Sequence, residues 1–297
     1  MNPRISHLEG IGLAIACFTF WVLADSTVKL IGRSALPSHE IVAFMGLVMC
    51  ACFALYGALR GEIRFLWPTR PRRQFARSCL DFINNLAVVV ALRHVPLTLF
   101  YILIFSSPMV ITILAAVFLR ERIEARRALA VLAGFAGVVI AVNPLGATRP
   151  GDWIGYAACM VCVACFSVNM VWSRVLTQTE TPLSLSFFSG AVMAVAGFAM
   201  MLGHAEPLTP GLLAALIAIG IFCAGGSICF FLAVKHTSAS TVSQYHYTQL
   251  LTGALISWLV WRELPTPWMV LGGALIVASG LYIALLGGRG AGAAHPV

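Results

Sequence analysis

A few polar side chains lie inside long apolar runs, and any chemistry must start from them. Asp81, Asn84 and Asn85 are spaced by three and four residues, so a helix places them on one face, one turn apart. Ser106 and Ser107 precede Pro108, where a missing N–H frees a carbonyl and bends a helix. Asn169 lies alone in a later apolar segment, and Ser243-Gln244-Tyr245-His246-Tyr247-Thr248-Gln249 forms one unbroken polar and aromatic run. A charged group at the centre of a membrane helix costs about 2.5–3.5 kcal/mol on insertion scales, so such groups face the bundle or an aqueous cavity. The chemistry this set suits is non-covalent: holding a small polar solute by hydrogen bonds and ring faces. Asp81, Asn84, Asn85, Ser106, Asn169, Gln244, Tyr245, His246 and Gln249 are the candidate substrate-binding residues.

Each candidate also has a structural reading. Asp81 could pair with Arg77 four residues earlier, and Asp25 with Lys29 at the same spacing near the end of the first segment, where the alternative for that pair is a role in the cavity. The two serines could bond their own helix backbone, and Gly225-Gly226 could serve close helix packing. His246 has two functional roles open to it, fixing a substrate carboxylate or hydroxyl as a neutral donor, or accepting a coupling proton. The structural alternative is a core histidine satisfied by Gln249 or Asn169.

Other chemistries lack their residues. No H-E-x-x-H, G-x-S-x-G or nucleotide-binding loop occurs, so neither an enzyme nor an ATP-driven pump is expected. The nine cysteines fall in or beside apolar segments, which reads as packing. Cys159, Cys162 and Cys165 have metal-ligand spacing but no His or acidic partner in their segment, so no metal or cofactor is expected.

The elements that must position the polar groups follow from composition. The chain is 60% hydrophobic and 10% charged, with a mean hydropathy of +0.92, where soluble domains carry about 25% charged residues. A bilayer core needs roughly 20 apolar residues per helix. Ten segments approach that length: 10–32, 40–59, 75–92, 97–119, 128–142, 153–172, 183–202, 212–234, 239–260 and 268–286. With the N-terminus inside, most of the 19 Lys and Arg fall on the cytoplasmic face, in clusters such as Arg60–Arg77 and Arg120–Arg127; Lys29, Arg33, Arg93, Arg149 and Arg262 fall outside. The expectation is a multi-pass inner-membrane protein with both termini cytoplasmic, and the net charge of +8 reflects its loops and not a nucleic-acid partner.

Arg93-His94 to Arg120-Glu121 returns, at one fixed displacement, as Lys235-His236 to Arg262-Glu263. The chain therefore reads as a duplication. Five helices per copy force the copies into the membrane in opposite senses, an arrangement of many secondary transporters. The Pro- or Ser-marked fourth helix ending in Arg-Glu, and the fifth with small residues seven apart (Ala130 and Gly137; Gly273 and Gly280), resemble the EamA repeats of the drug/metabolite transporter superfamily. Asp25 to Lys29 and Tyr245 to Leu250 are similar to its S-adenosylmethionine uptake branch, from which His246 and Gln249 depart.

The resemblance implies an all-α integral membrane fold of ten helices in two inverted five-helix repeats, residues 10–142 and 153–286, and the Gly- and Ala-rich composition of 287–297 leads to the expectation of a disordered tail. It also implies a cavity lined by helices 1, 3, 4, 6, 8 and 9. The expected function is alternating-access transport of a small polar or zwitterionic metabolite, such as an amino acid or nucleoside-like compound. A channel or facilitator, or an integral membrane enzyme, is the alternative. The expected partners are the substrate and the lipid bilayer, with a homodimer as one allowed assembly.

Overall fold

The computed structural model describes residues 3–107, 109–111, 113–114, 125–143, 152–176, 179–201, 206–236 and 245–291. Among them the regular structure is helical: α1 (Pro3–Ile31), α2 (Ser38–Arg60), α3 (Pro71–His94), α4 (Leu97–Ile104), α5 (Ala125–Val142), α6 (Asp152–Leu176), α7 (Pro182–Met200), α8 (Pro210–His236), α9 (Thr248–Trp261) and α10 (Pro267–Ala291), with short 3-10 turns at Ile63–Leu66 and Tyr245–Tyr247. Proline supplies the starts. Pro71 and Pro182 open α3 and α7 at the first turn, where no intrahelical N–H is required, and Thr181 caps α7 by accepting from the Ser184 N–H.

Within α1, α2, α3, α7 and α8 are five spans long and apolar enough to cross a membrane; the apolar stretches in α4, α5, α6 and α10 are shorter among the described residues. Leu55, Leu59, Leu132, Val195, Leu251 and Trp268 stand well exposed on helix surfaces. Hydrocarbon, not water, suits so apolar an exterior. By contrast, Leu97 to Leu103 of α4 are buried all round. That places α4 inside the bundle.

Helix partners follow a reciprocal scheme. α1 packs on α8 and α6 on α3; α2 packs on α8 and α7 on α3; α1 packs on α9 and α6 on α4; α2–α7, α4–α9 and α5–α10 also pack. Exchanging the first five helices with the last five returns these pairings, while the contacts of α3 with α1 and α2, and of α4 with α5 and α10, have no such counterpart among the described residues. The crossings are close where small residues meet: a Cβ added at Gly46 on α2 would lie 2.5 Å from the Gly190 carbonyl oxygen on α7, and one at Gly137 on α5 would lie 2.8 Å from that of Gly272 on α10.

Two buried carboxylates tie the halves together, one at each end of the bundle. The Glu180 oxygens accept from the backbone N–H groups of Thr69 (2.9 Å) and Arg70 (2.5 Å) just before α3. At the other end, Glu40 at the start of α2 accepts from the Glu206 N–H at 3.3 Å, before α8.

Two boundaries differ from the sequence reading. α9 begins at Thr248 and not near Ala239, because Tyr245–Tyr247 form a separate 3-10 turn. α10 runs to Ala291, beyond the expected end at Leu286, since Gly287–Ala291 extend a helix already nucleated over many turns.

Candidate functional site

Asp81 sits mid-way along α3, where its carboxylate is enclosed by two helices of the other half. Oδ1 accepts from Asn169 Nδ2 on α6, and Oδ2 accepts from Ser189 Oγ on α7 at 2.5 Å. Arg77, one turn earlier, lies 3.1 Å from Oδ2 and donates to Ser189 Oγ at 3.0 Å. Two predicted residues, Asp81 and Asn169, are thus in direct contact, and the structure forms the local Asp81–Arg77 pair as well. Asn85 turns back to donate to the Asp81 carbonyl at 2.8 Å. Among the described residues the buried Asn84 Oδ1 has no partner, while its carbonyl receives the Cys162 thiol from α6 at 3.8 Å.

Asp25 on α1 is enclosed differently. Tyr101 Oη donates to its Oδ2 at 2.6 Å, and the described ion pairs, Lys29–Glu263 and Arg77–Asp81, do not include it. The Tyr101 ring has room because α9 presents Gly253, where a Cβ would lie 2.5 Å from the ring. The suggested Asp25–Lys29 pairing is therefore replaced. Lys29 Nζ instead reaches Glu263 Oε2 at 2.6 Å and lies 4.7 Å over the Trp261 ring.

The Arg262-Glu263 motif explains that contact. Arg262 ends α9 with φ +58°, in the left-handed region that non-glycine residues seldom adopt, and the Glu263 N–H returns to the Ser257 carbonyl. This turn aims the Glu263 carboxylate at both Ser257 Oγ (3.1 Å) and Lys29. The matching Arg120-Glu121 lies outside the described residues.

A cavity of about 390 Å³ opens at this end of the bundle, lined from the end of α1, the end of α3 and the turn before α4, α6 and the end of α9. Lys29 forms part of its wall, and Asp25 lies one helical turn deeper along α1. Asp81 is roughly 18 Å along α3 from the cavity-lining Arg93.

The remaining predicted residues are spread between these features. His246 is packed among the rings of Phe18 (5.0 Å between centroids), Phe105 (5.0 Å) and Phe166 (6.1 Å). Gln249, three residues on, donates to the Phe18 carbonyl at 3.5 Å. Tyr245 packs on the small cluster around Phe18, and Ser106 donates to the Leu103 carbonyl of its own helix at 2.7 Å. Gly226 gives room to Trp21, which a Cβ would approach to 2.6 Å. Gln244 lies outside the described residues. All nine cysteines are free, and no group of three or more metal-ligating side chains gathers among the described residues.

Residues 8–143 and again 153–285 match the EamA-like transporter family. The chain belongs to that family. It shares the drug/metabolite transporter superfamily with named relatives that run nearly its full length. It is 26% identical to the riboflavin transporter of Rhizobium johnstonii, over 95% of this chain and 93% of that one. It is likewise 26% identical to the S-adenosylmethionine uptake transporter of Rickettsia bellii, over 95% and 96%, and 27% identical to the pseudopaline exporter CntI of Pseudomonas aeruginosa, over 91% and 94%. A protein of known crystal structure, 20% identical, superimposes with a TM-score of 0.65 over 96% of this chain and 98% of that one, which shows the fold. This EamA protein is a multi-pass membrane protein of a transporter family.

Sequence reasoning did not select Tyr101, Ser189 or Glu263, and it left Asp25 and Lys29 open between a local pair and a role in the cavity. The available signal was the rarity of acidic residues: the chain has only 11, so each one within an apolar segment warranted a search for a distant partner.

Proposed function

We propose that this EamA protein is a secondary transporter that moves a small polar or zwitterionic metabolite, such as an amino acid or nucleoside-like compound, across the inner membrane by alternating access. The observation that carries the reading is the arrangement of polar groups within an apolar bundle: a cavity at one end, Asp25–Tyr101 a turn below it, and Asp81–Asn169–Ser189 further in. Carboxylates at such depth are costly unless they serve a pathway or are neutralised. Asp25, which has no described cationic partner, is the residue we assign to the pathway with Tyr101. Asp81, Asn84 and Asn169 extend it, whereas Ser106 and His246 support packing.

Ten spans in two inverted halves, residues 10–142 and 153–286, complete the proposal. Its support is the reciprocal helix scheme, the two carboxylate ties at opposite ends, and the paired family match. The Lys and Arg distribution favours cytoplasmic termini, with the cavity opening to the outside. Two like halves of opposite sense can exchange conformations around a site between them.

Proteoliposome counterflow tests this function. Preloaded unlabelled metabolite should drive transient, saturable accumulation of labelled metabolite in a chemically unchanged form. Non-saturating flux without counterflow would mark a channel, and altered substrate an enzyme.

A further inference from the structure

The outer cavity has a charge that its surroundings do not require. Its wall carries Lys29, Arg33, Arg93 and His94, with Glu263 as the carboxylate among the lining residues and Trp261 as an aromatic face. Glu263 is engaged by Lys29, which leaves two guanidinium groups for other work. Arg93 donates one terminal nitrogen to the Leu36 carbonyl, yet its Nε is buried without a partner among the described residues. Arg33 is exposed at the rim. Positive charge tends to be sparse on outer loops, and here three of the few outer cations meet at one concavity. A cleft with low-dielectric walls focuses such a field on an incoming ligand.

We infer that this cavity is an entry site for an anionic group, a carboxylate or phosphate, carried by the transported metabolite; the inference rests on the proposed transport function and narrows its substrate to molecules bearing such a group. Arg33 and Arg93 supply the planar donors that suit carboxylate and phosphate oxygens, and Trp261 offers a ring face to the rest of the molecule. Glu263 is a built-in competitor, because its carboxylate occupies Lys29 until another anion displaces it. Displacement would release the tie between α1 and the turn after α9, coupling arrival of the anion to movement at this end.

The test uses purified full-length protein in neutral detergent, titrated with inorganic phosphate at constant ionic strength and followed by melting temperature and tryptophan fluorescence, with choline as the cationic control. Phosphate should bind saturably and choline should not. Arg33→Gln should weaken apparent phosphate affinity by about tenfold, the loss of one charge-assisted contact, whereas Glu263→Gln should strengthen it by freeing Lys29. The opposite signs separate binding from a general effect on stability. Arg93 also bonds the backbone, so these two more accessible positions carry the test. Equal phosphate response in the wild type and both variants would overturn the inference.

A parallel titration in nanodiscs distinguishes the source of the anion. If phosphatidylglycerol, compared with neutral lipid, abolishes phosphate binding in an Arg33-dependent manner, the occupant is a lipid headgroup and assignment to the substrate is overturned. Unchanged phosphate binding in both lipids supports it. Counterflow keeps the underlying reading separate: intact counterflow without phosphate binding defeats the entry site alone, and phosphate binding without counterflow of any metabolite defeats the transport reading and, with it, assignment of the anion site to a transported metabolite.

Discussion

Asp81 and Asp25 present the same problem, a carboxylate inside an apolar bundle, with different solutions. Asp81 is held by a guanidinium at 3.1 Å, a serine hydroxyl and a carboxamide, whereas Asp25 has the Tyr101 phenol at 2.6 Å and no described ion pair. A buried charge with a full set of partners is mainly fixed in place; one with a single neutral partner is available for exchange with a substrate or a proton. On the proposed function, the difference gives the α3–α6–α7 cluster a framework role within the pathway and the α1–α4 pair the exchanging role.

The largest effect should come from removing the cation of the framework cluster. Arg77→Ala leaves Asp81 buried without its counter-charge and should destabilise the fold by about 3–5 kcal/mol, measured by denaturant or thermal unfolding in detergent. Replacing both partners, Arg77→Met with Asp81→Leu, should recover most of that loss. If the single variant were as stable as the wild type, Asp81 would not depend on its cation, and the contrast with Asp25 would disappear.

Tyr101→Phe should have an intermediate effect. It strips Asp25 of its hydroxyl partner and should cost about 1–3 kcal/mol, with a larger fractional loss in transport than in stability. Gly253→Ala should act in the same direction by forcing the Tyr101 ring to move. A transport rate unaffected by either substitution would place the phenol outside the pathway.

Ser106→Ala should be the mildest, below about 1 kcal/mol with transport retained, because its hydroxyl bonds the carbonyl three residues earlier in its own helix. A loss of transport at wild-type stability would return Ser106 to the substrate site.

What was legible in the sequence follows the reach of each interaction. The apolar segments and their proline starts showed directly, because hydropathy and φ restriction are local. Asp81–Arg77 was legible for the same reason, being one turn apart on one helix. Lys29–Glu263 was not, since its partners are 234 residues apart and meet only after α1 and α9 pack. Four-residue spacing suggested Asp25 for Lys29, but the local partner lost to a carboxylate aimed by the left-handed turn at Arg262. His246 stayed open between a pathway and a core role because polarity in the run fits both; the three phenylalanine rings that enclose it come from α1, the α4 segment and α6, which the local sequence does not show.

The most direct measurement compares counterflow in the wild type and Asp25→Asn, reconstituted at equal levels after confirming similar melting temperatures. Asparagine keeps an acceptor for the Tyr101 hydroxyl and removes only the carboxylate charge and its capacity to bind a proton. The account predicts a folded protein whose counterflow falls at least tenfold. Wild-type counterflow from Asp25→Asn would contradict the assignment of this carboxylate to the transport pathway.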